Sequence, residues 1–161
     1  MKKLIIILLT IHASLFTTHT FSQPCLPEGI TFTTQEQIDS FQENYPGCTM
    51  IEGDVEVGSW SGTDITNLGG LSVLTSLQSN IEIWYNDSLN SLSGLDNLEY
   101  VGANFSIWKN PSLTSLTGIE NLNSIGGNLI IGKIYWFDSW LCGGNPNLSS
   151  LAALLNLETI G

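Results

Sequence analysis

The chain has no arginine, and its 161 residues include only two histidines and four lysines. Both histidines, His12 and His19, and two of the lysines, Lys2 and Lys3, fall in the first 22 residues. That segment reads as a secretory signal peptide: a basic start, the apolar run Leu4 to Leu9, and small residues before a break at Thr20-Phe21-Ser22. A spanning helix needs about 20 mostly apolar residues, and His12, Ser14 and Thr17 interrupt this run early. No later segment is apolar enough to cross a bilayer. Cleavage near Ser22 or Gln23 leaves Lys109 and Lys133 against fifteen acids, a formal charge of −13. Two scattered lysines cannot build a surface for phosphate backbones, so nucleic acid is excluded as a partner and anionic membrane surfaces are disfavoured. A secreted or cell-surface chain without histidine has no Ser-His-Asp or Cys-His catalysis and no histidine metal site. No cofactor is expected.

Cysteine is also scarce. Cys25, Cys48 and Cys142 are the three present, and an odd count in an exported chain leaves one over. Cys25 and Cys48 flank one small unit and are expected to pair, which contributes about 3 kcal/mol in the chain-entropy view. Cys142 is then free or reserved for a partner.

What the chain does have is a repeat. Asn80 to Gly102 reads NIEIWYNDSLNSLSGLDNLEYVG, and Asn104 to Gly126 reads NFSIWKNPSLTSLTGIENLNSIG, 24 residues further on. Asn86 matches Asn110, Leu92 matches Leu116, and Gly94 matches Gly118. A fixed period of this size points to stacked units that bury their apolar faces on their neighbours. Positions 81 and 83 alternate as a strand does. The later apolar positions, 89, 92, 95, 98 and 101, are three apart, which could suggest a helix. Ser88, Asn90, Ser91, Ser93, Gly94 and Asn97 crowd the same span, however, and favour bends. The expected fold is mainly β: a right-handed β-helix or leucine-rich-repeat-like solenoid of about four coils of about 24 residues. The recurring asparagines (Asn86, Asn110, Asn145; Asn97, Asn121, Asn156) are expected to satisfy bend backbone groups in ladders.

Residues 25–50 stand outside the repeat. Thr33-Thr34-Gln35-Glu36-Gln37 holds two overlapping capping boxes, Thr33 with Glu36 and Thr34 with Gln37. Ile38, Phe41 and Tyr45 then fall on one face of a short helix that Pro46-Gly47 stops. The expectation is a disulfide-tied helical cap over the first coil. After the strand at Asn128 to Gly132 the register breaks. Asn145 should sit at position 134, so eleven residues, Lys133 to Gly143, are inserted. The pattern resumes at Asn145 and stops at Gly161 where a further strand is due. Further repeats, or a partner covering the last coil, are therefore expected.

Gly-Asn-Leu-x-Ile strands, the run Asn-x-x-Leu-x-x-Leu-x-Gly-Leu-x-x-Leu and a closing Ile-Gly-Gly resemble the receptor L domain. The stretch from Cys25 through Phe41 to Cys48, running into Ile51-Glu52-Gly53-Asp54-Val55-Glu56-Val57, is similar to that family's cap and first strand. The resemblance covers about Cys25 to Gly161, with 51–161 as the repeats. It implies a right-handed β-helix-like fold, an extracellular binding or adhesion role and no enzyme.

Trp84 and Trp108 alternate with the inward Ile83 and Ile107, so they are expected to point outward and stack, with Trp60 placed to extend the row. They form either an exposed platform for a sugar ring or a partner's side chains, or a cover over the strand-to-bend corner in which the indoles touch only each other. Glu82 and Ser106, with Glu56, would form a polar rim or plain solvated surface. The insert brings Tyr135, Trp136, Phe137 and Trp140 together as a binding finger or a flap. Calcium through Asp54, Glu56 or Asp87 would need six or more converging oxygens, and no dense acidic loop is present. The expected function is non-catalytic recognition of an extracellular protein or glycan ligand. The alternatives are glycoside cleavage by paired carboxylates and a purely structural surface scaffold.

Overall fold

A computed structural model describes residues 23–132 and 143–161. The expected signal peptide, residues 1–22, and the residues Tyr135, Trp136, Phe137, Trp140 and Cys142 lie outside the described residues.

The chain alternates between two parallel sheets. The first holds β1 (Gln23–Cys25), β3 (Cys48–Ile51), β5 (Ser76–Leu77), β7 (Tyr100–Val101), β9 (Ser124–Ile125) and β11 (Thr159–Ile160), in that order. The second holds β2 (Ile30–Phe32), β4 (Val55–Val57), β6 (Ile81–Trp84), β8 (Phe105–Trp108) and β10 (Leu129–Ile131). Consecutive strands in the chain therefore never pair, and each return to a sheet passes through the other. The register keeps the spacing of the sequence: Ile81 pairs Phe105, Ile83 pairs Ile107, Tyr100 pairs Ser124. Ser124 pairs Thr159 and Ile125 pairs Ile160, so the eleven extra residues are absorbed before β11.

This topology corrects the expected fold class. The expectation was a mainly β fold, a right-handed β-helix or leucine-rich-repeat-like solenoid of about four coils. The finding is two open parallel sheets, six- and five-stranded, with short helices, an α/β-like arrangement. The reason lies in the leucine-bearing segments. Between strands of two to four residues they run as bends and as two 3-10 turns, Gly69–Leu71 and Ala152–Leu154, rather than as further strands. Among the described residues they carry no third sheet, only an isolated bridge between Ser115 and Ser150.

The alternating residues of both sheets and the bend leucines meet in one apolar cluster. Val55, Val57, Ile81, Ile83, Phe105 and Ile107 enter it from one sheet, and Ile51, Leu77, Val101 and Ile125 from the other. Leu92 and Leu116 are both fully buried there, and the Leu92 amide donates to the Thr117 carbonyl 2.8 Å away, so their bends lie against each other. Gly94 and Gly118 sit at φ +112° and +111°, and any Cβ there would collide with the backbone of the preceding bend at Leu68 and Leu92. Glycine is what lets successive bends approach this closely.

The first unit differs from expectation in two ways. Cys25 and Cys48 form the disulfide, with Cα atoms 5.7 Å apart. But the unit is not only a cap: β1 and β2 supply an edge strand to each sheet, β1 beside β3 and β2 beside β4. One helix becomes two short ones, α1 (Gln35–Asp39) and α2 (Phe41–Asn44), because the Ser40 hydroxyl bonds back to the Glu36 carbonyl. Of the two overlapping capping boxes, the one that forms joins Thr34 to Gln37. Ile38 and Phe41 are buried, and Phe41 meets Phe32 edge-on at 5.9 Å.

Asparagines tie the bends together. The side chain of Asn86 donates to the carbonyls of Val57 and Trp84, and its backbone N–H donates to Oδ1 of Asn110. Asn110 repeats this with Ile83, Trp108 and Asn145, and Asn145 donates to Ile107. All three are buried. Asp54, Asn80, Asn104 and Asn128 form a second, more exposed ladder, each donating to the one before. Its first member only accepts, so a carboxylate serves. The bonds from Ser79 and Asn80 hold Asp54 below the usual carboxylate range. Replacing Asn110 with Ala leaves several buried groups unpaired and should cost about 2–4 kcal/mol, at about 1–3 per group. Asn121→Ala, which loses one exposed bond to Asp96, should cost under about 1 kcal/mol. Urea unfolding of both variants tests the difference, and equal losses would contradict it.

Candidate functional site

The outer face of the five-stranded sheet carries the sequence-predicted site residues of the strands. Along the register run Thr31, Glu56, Glu82, Ser106 and Ile130. Trp84 and Trp108 stand beside them, paired in register. Their indoles stack with centroids 5.3 Å apart and planes 5° from parallel. The stacking is as expected. The exposed platform is corrected, because each indole is only 6% exposed. Their two Nε1–H donors are buried and meet no acceptor.

Trp60 does not extend the row. In the register the place opposite Trp84 belongs to Gly58, where a Cβ would strike the Trp84 indole and carbonyl. Trp60, two residues on, instead tilts across the pair, 4.8 Å from Trp84 and 6.1 Å from Trp108. It remains 63% exposed. Tyr85 completes a four-ring cluster, 5.6 to 5.8 Å from each of the three indoles. Within this cluster the aromatic surface open to a ligand is therefore Trp60, with Tyr85 half-buried beside it.

Ser106 is 3% exposed, so the expected polar rim does not include it. Glu82 is half-buried, with Glu56 as its neighbour on the adjoining strand. Burial first, then the charges of Glu56 and Asp54, push the Glu82 carboxyl above the usual range.

Two shallow depressions flank the ring cluster, and apart from Asp87, weighed above for calcium, both are lined by residues that sequence reasoning did not single out as a site. One, of about 590 Å³, is lined by Thr33, Ser59, Ser61, Thr63, Asp64 and Asp87. The other, of about 350 Å³, is lined by Tyr85, Asp87, Lys109, Pro111 and Pro146. Asp87 borders both. Asp64 is partly occupied, since Oδ1 accepts the Gln35 N–H at 2.8 Å. Thr63 donates to Asn86 Oδ1 and so begins the buried asparagine ladder.

Lys109 is the single cationic side chain among the described residues. Its ammonium lies 4.2 Å from the centre of the Tyr85 ring and bonds to the Tyr85 hydroxyl, and no described carboxylate pairs with it. Tyr85 and Lys109 also share a backbone anomaly. Both adopt the left-handed conformation, at φ +54° and +52°, which costs a non-glycine residue about 1–2 kcal/mol. Each precedes a ladder asparagine. In the equivalent place Gly62, at φ +82°, precedes Thr63, whereas Gly144 before Asn145 is not left-handed. That substitution of large side chains for glycine was the available sequence signal.

Because Glu82 binds its proton more tightly folded than unfolded, its ionisation destabilises the fold above the raised value, and this penalty is relieved as pH falls through it. Glu82→Gln should therefore unfold at a higher temperature than the wild type at pH 7. The gap should close below about pH 4, where the carboxyl is protonated in both states. Thermal melts across that range test this, and a pH-independent gap would contradict it. Compared with known proteins, the chain matches no family model, no curated protein and no solved structure.

Proposed function

We propose that this chain is a non-catalytic binding module that works outside the cell and holds its ligand at the Trp60 side of the ring cluster. The observation that carries the reading is Trp60 itself. A large indole kept 63% exposed over three other rings, beside two depressions, is a poor solution for stability alone and a good one for a contact surface. Both depressions fall within the roughly 300–1,000 Å³ that ligand sites span. The Cys25–Cys48 disulfide suits an oxidising compartment, in line with the expected export signal. The resemblance of the repeats to the receptor L domain points to the same extracellular role.

Cleavage of a glycoside has one observation on its side, since Asp64 and Asp87 line the same depression. Asp64, however, already holds the first amide of α1, which suits a structural role better than that of a free acid or base. Binding is the better supported reading.

The exported chain, immobilised and probed with a glycan array and with extracellular proteins, should retain a ligand. Trp60→Ala should abolish that retention while changing unfolding stability by less than about 1 kcal/mol. Ligand recovered from the chain should have its original length. Retention that survives Trp60→Ala, or shortened ligand, would overturn the reading.

A further inference from the structure

Resting on that reading, we infer that the ligand is a neutral oligosaccharide lying in one groove across both depressions, with Tyr85 and Lys109 held in strained backbone conformations to shape it. Three independent features converge. First, the two depressions share Asp87, and Trp60 connects them: Ser59 and Ser61, its chain neighbours, line one, and its ring lies 5.6 Å from Tyr85, which lines the other. Second, the larger depression is lined by hydroxyl and carboxylate residues next to Trp60 in the chain, and the smaller adds the Tyr85 ring and two prolines beside Asp87 and Lys109. Carboxylates and hydroxyls accept and donate to vicinal sugar hydroxyls, and an indole covers the apolar C–H face of a pyranose. An apolar peptide spanning both depressions would meet the hydroxyls and carboxylates of the larger one. A polyanion would face a chain with two lysines against fifteen acids beyond residue 22.

The third feature is the strain. Three non-glycine residues among those described adopt the left-handed conformation. Leu26 packs on the core beside the disulfide, a structural reason for its conformation. Tyr85 and Lys109 do not belong to the core cluster. Both line the smaller depression, at a chain position where Gly62, at φ +82°, stands in the first bend. Strain retained where glycine would relieve it marks a site whose side chains are needed. The stem of Lys109 lies against Gly143, where any Cβ would displace it. Its ammonium is directed to the Tyr85 hydroxyl and ring, so the two side chains act as one wall.

The test uses the whole exported chain, an array of neutral oligosaccharides of differing linkage, and two variants. Asn tolerates the left-handed conformation, so Lys109→Asn should melt at or above the wild-type temperature while binding the retained oligosaccharide about tenfold more weakly or worse. Tyr85→Phe keeps the ring and removes the hydroxyl that meets Lys109; it should melt as the wild type does and also bind more weakly. Undiminished binding by Lys109→Asn, or a lowered melting temperature in that variant, would overturn the assignment of these residues. An array with no retained neutral oligosaccharide, beside a captured protein whose retention Trp60→Ala abolishes, would overturn the ligand class and leave the binding reading standing. An array and a protein screen that both return nothing would overturn both.

Discussion

A buried asparagine that accepts from the preceding bend and donates to the preceding strand of the sheet is the contact on which the rest of this structure depends. Parallel strands of two to four residues form too few ladder bonds to hold themselves. The bends between them bury backbone groups that no sheet can satisfy. Asn86, Asn110 and Asn145 supply both the donor and the acceptor at that point, one above the other. The same geometry fixes the residue before Asn86 and Asn110, because the side-chain nitrogen bonds to the carbonyl two residues back. Tyr85 and Lys109 take their left-handed conformations there, and Trp84 and Trp108 are stacked just ahead of them. Fold and candidate site thus share one hydrogen-bond column.

That sharing explains the placement of polar and apolar groups. Apolar alternation points into the sheet-to-sheet core, and the outer face of the second sheet is left for other uses. Near β4 and β6 it carries Glu56 and Glu82 side by side, an unfavourable pair that half-burial of Glu82 aggravates. At the strand ends it carries the ring cluster. The single described cation sits with those rings rather than with the acids. Nothing about core packing requires that choice.

Much of this was legible in the chain itself. The 24-residue spacing gave the strand register, and the position of Asn145 gave the size of the insert, because ladder asparagines must stack to bond. The Cys25–Cys48 bond was legible from the unit it encloses. What was not legible is how the bends would run. Leucines three apart mark burial without saying whether the backbone between them is strand or turn, so a β-helix-like solenoid was expected and two open sheets were found. Ile30-Thr31-Phe32 alternates as Val55-Glu56-Val57 does, yet the nearby capping box drew the unit toward a purely helical reading. For the site, alternation correctly set Trp84 and Trp108 on one face and in contact. It could not foresee that Trp60 and Tyr85 would fold over them, because that depends on Gly58 and on the left-handed turn at Tyr85. The depression residues were hidden for the same reason: they meet only when several bends are superposed.

The backbone amides of Asn86 and Asn110 donate to side-chain oxygens and lie outside every strand, so their hydrogen exchange separates a buried asparagine column from loosely tethered bends. If the column holds the fold, these two amides exchange as slowly as those of Ile83 and Ile107 in β6 and β8, and Asn110→Ala speeds all four together. Fast exchange at Asn86 and Asn110, with the strand amides still protected, would contradict it.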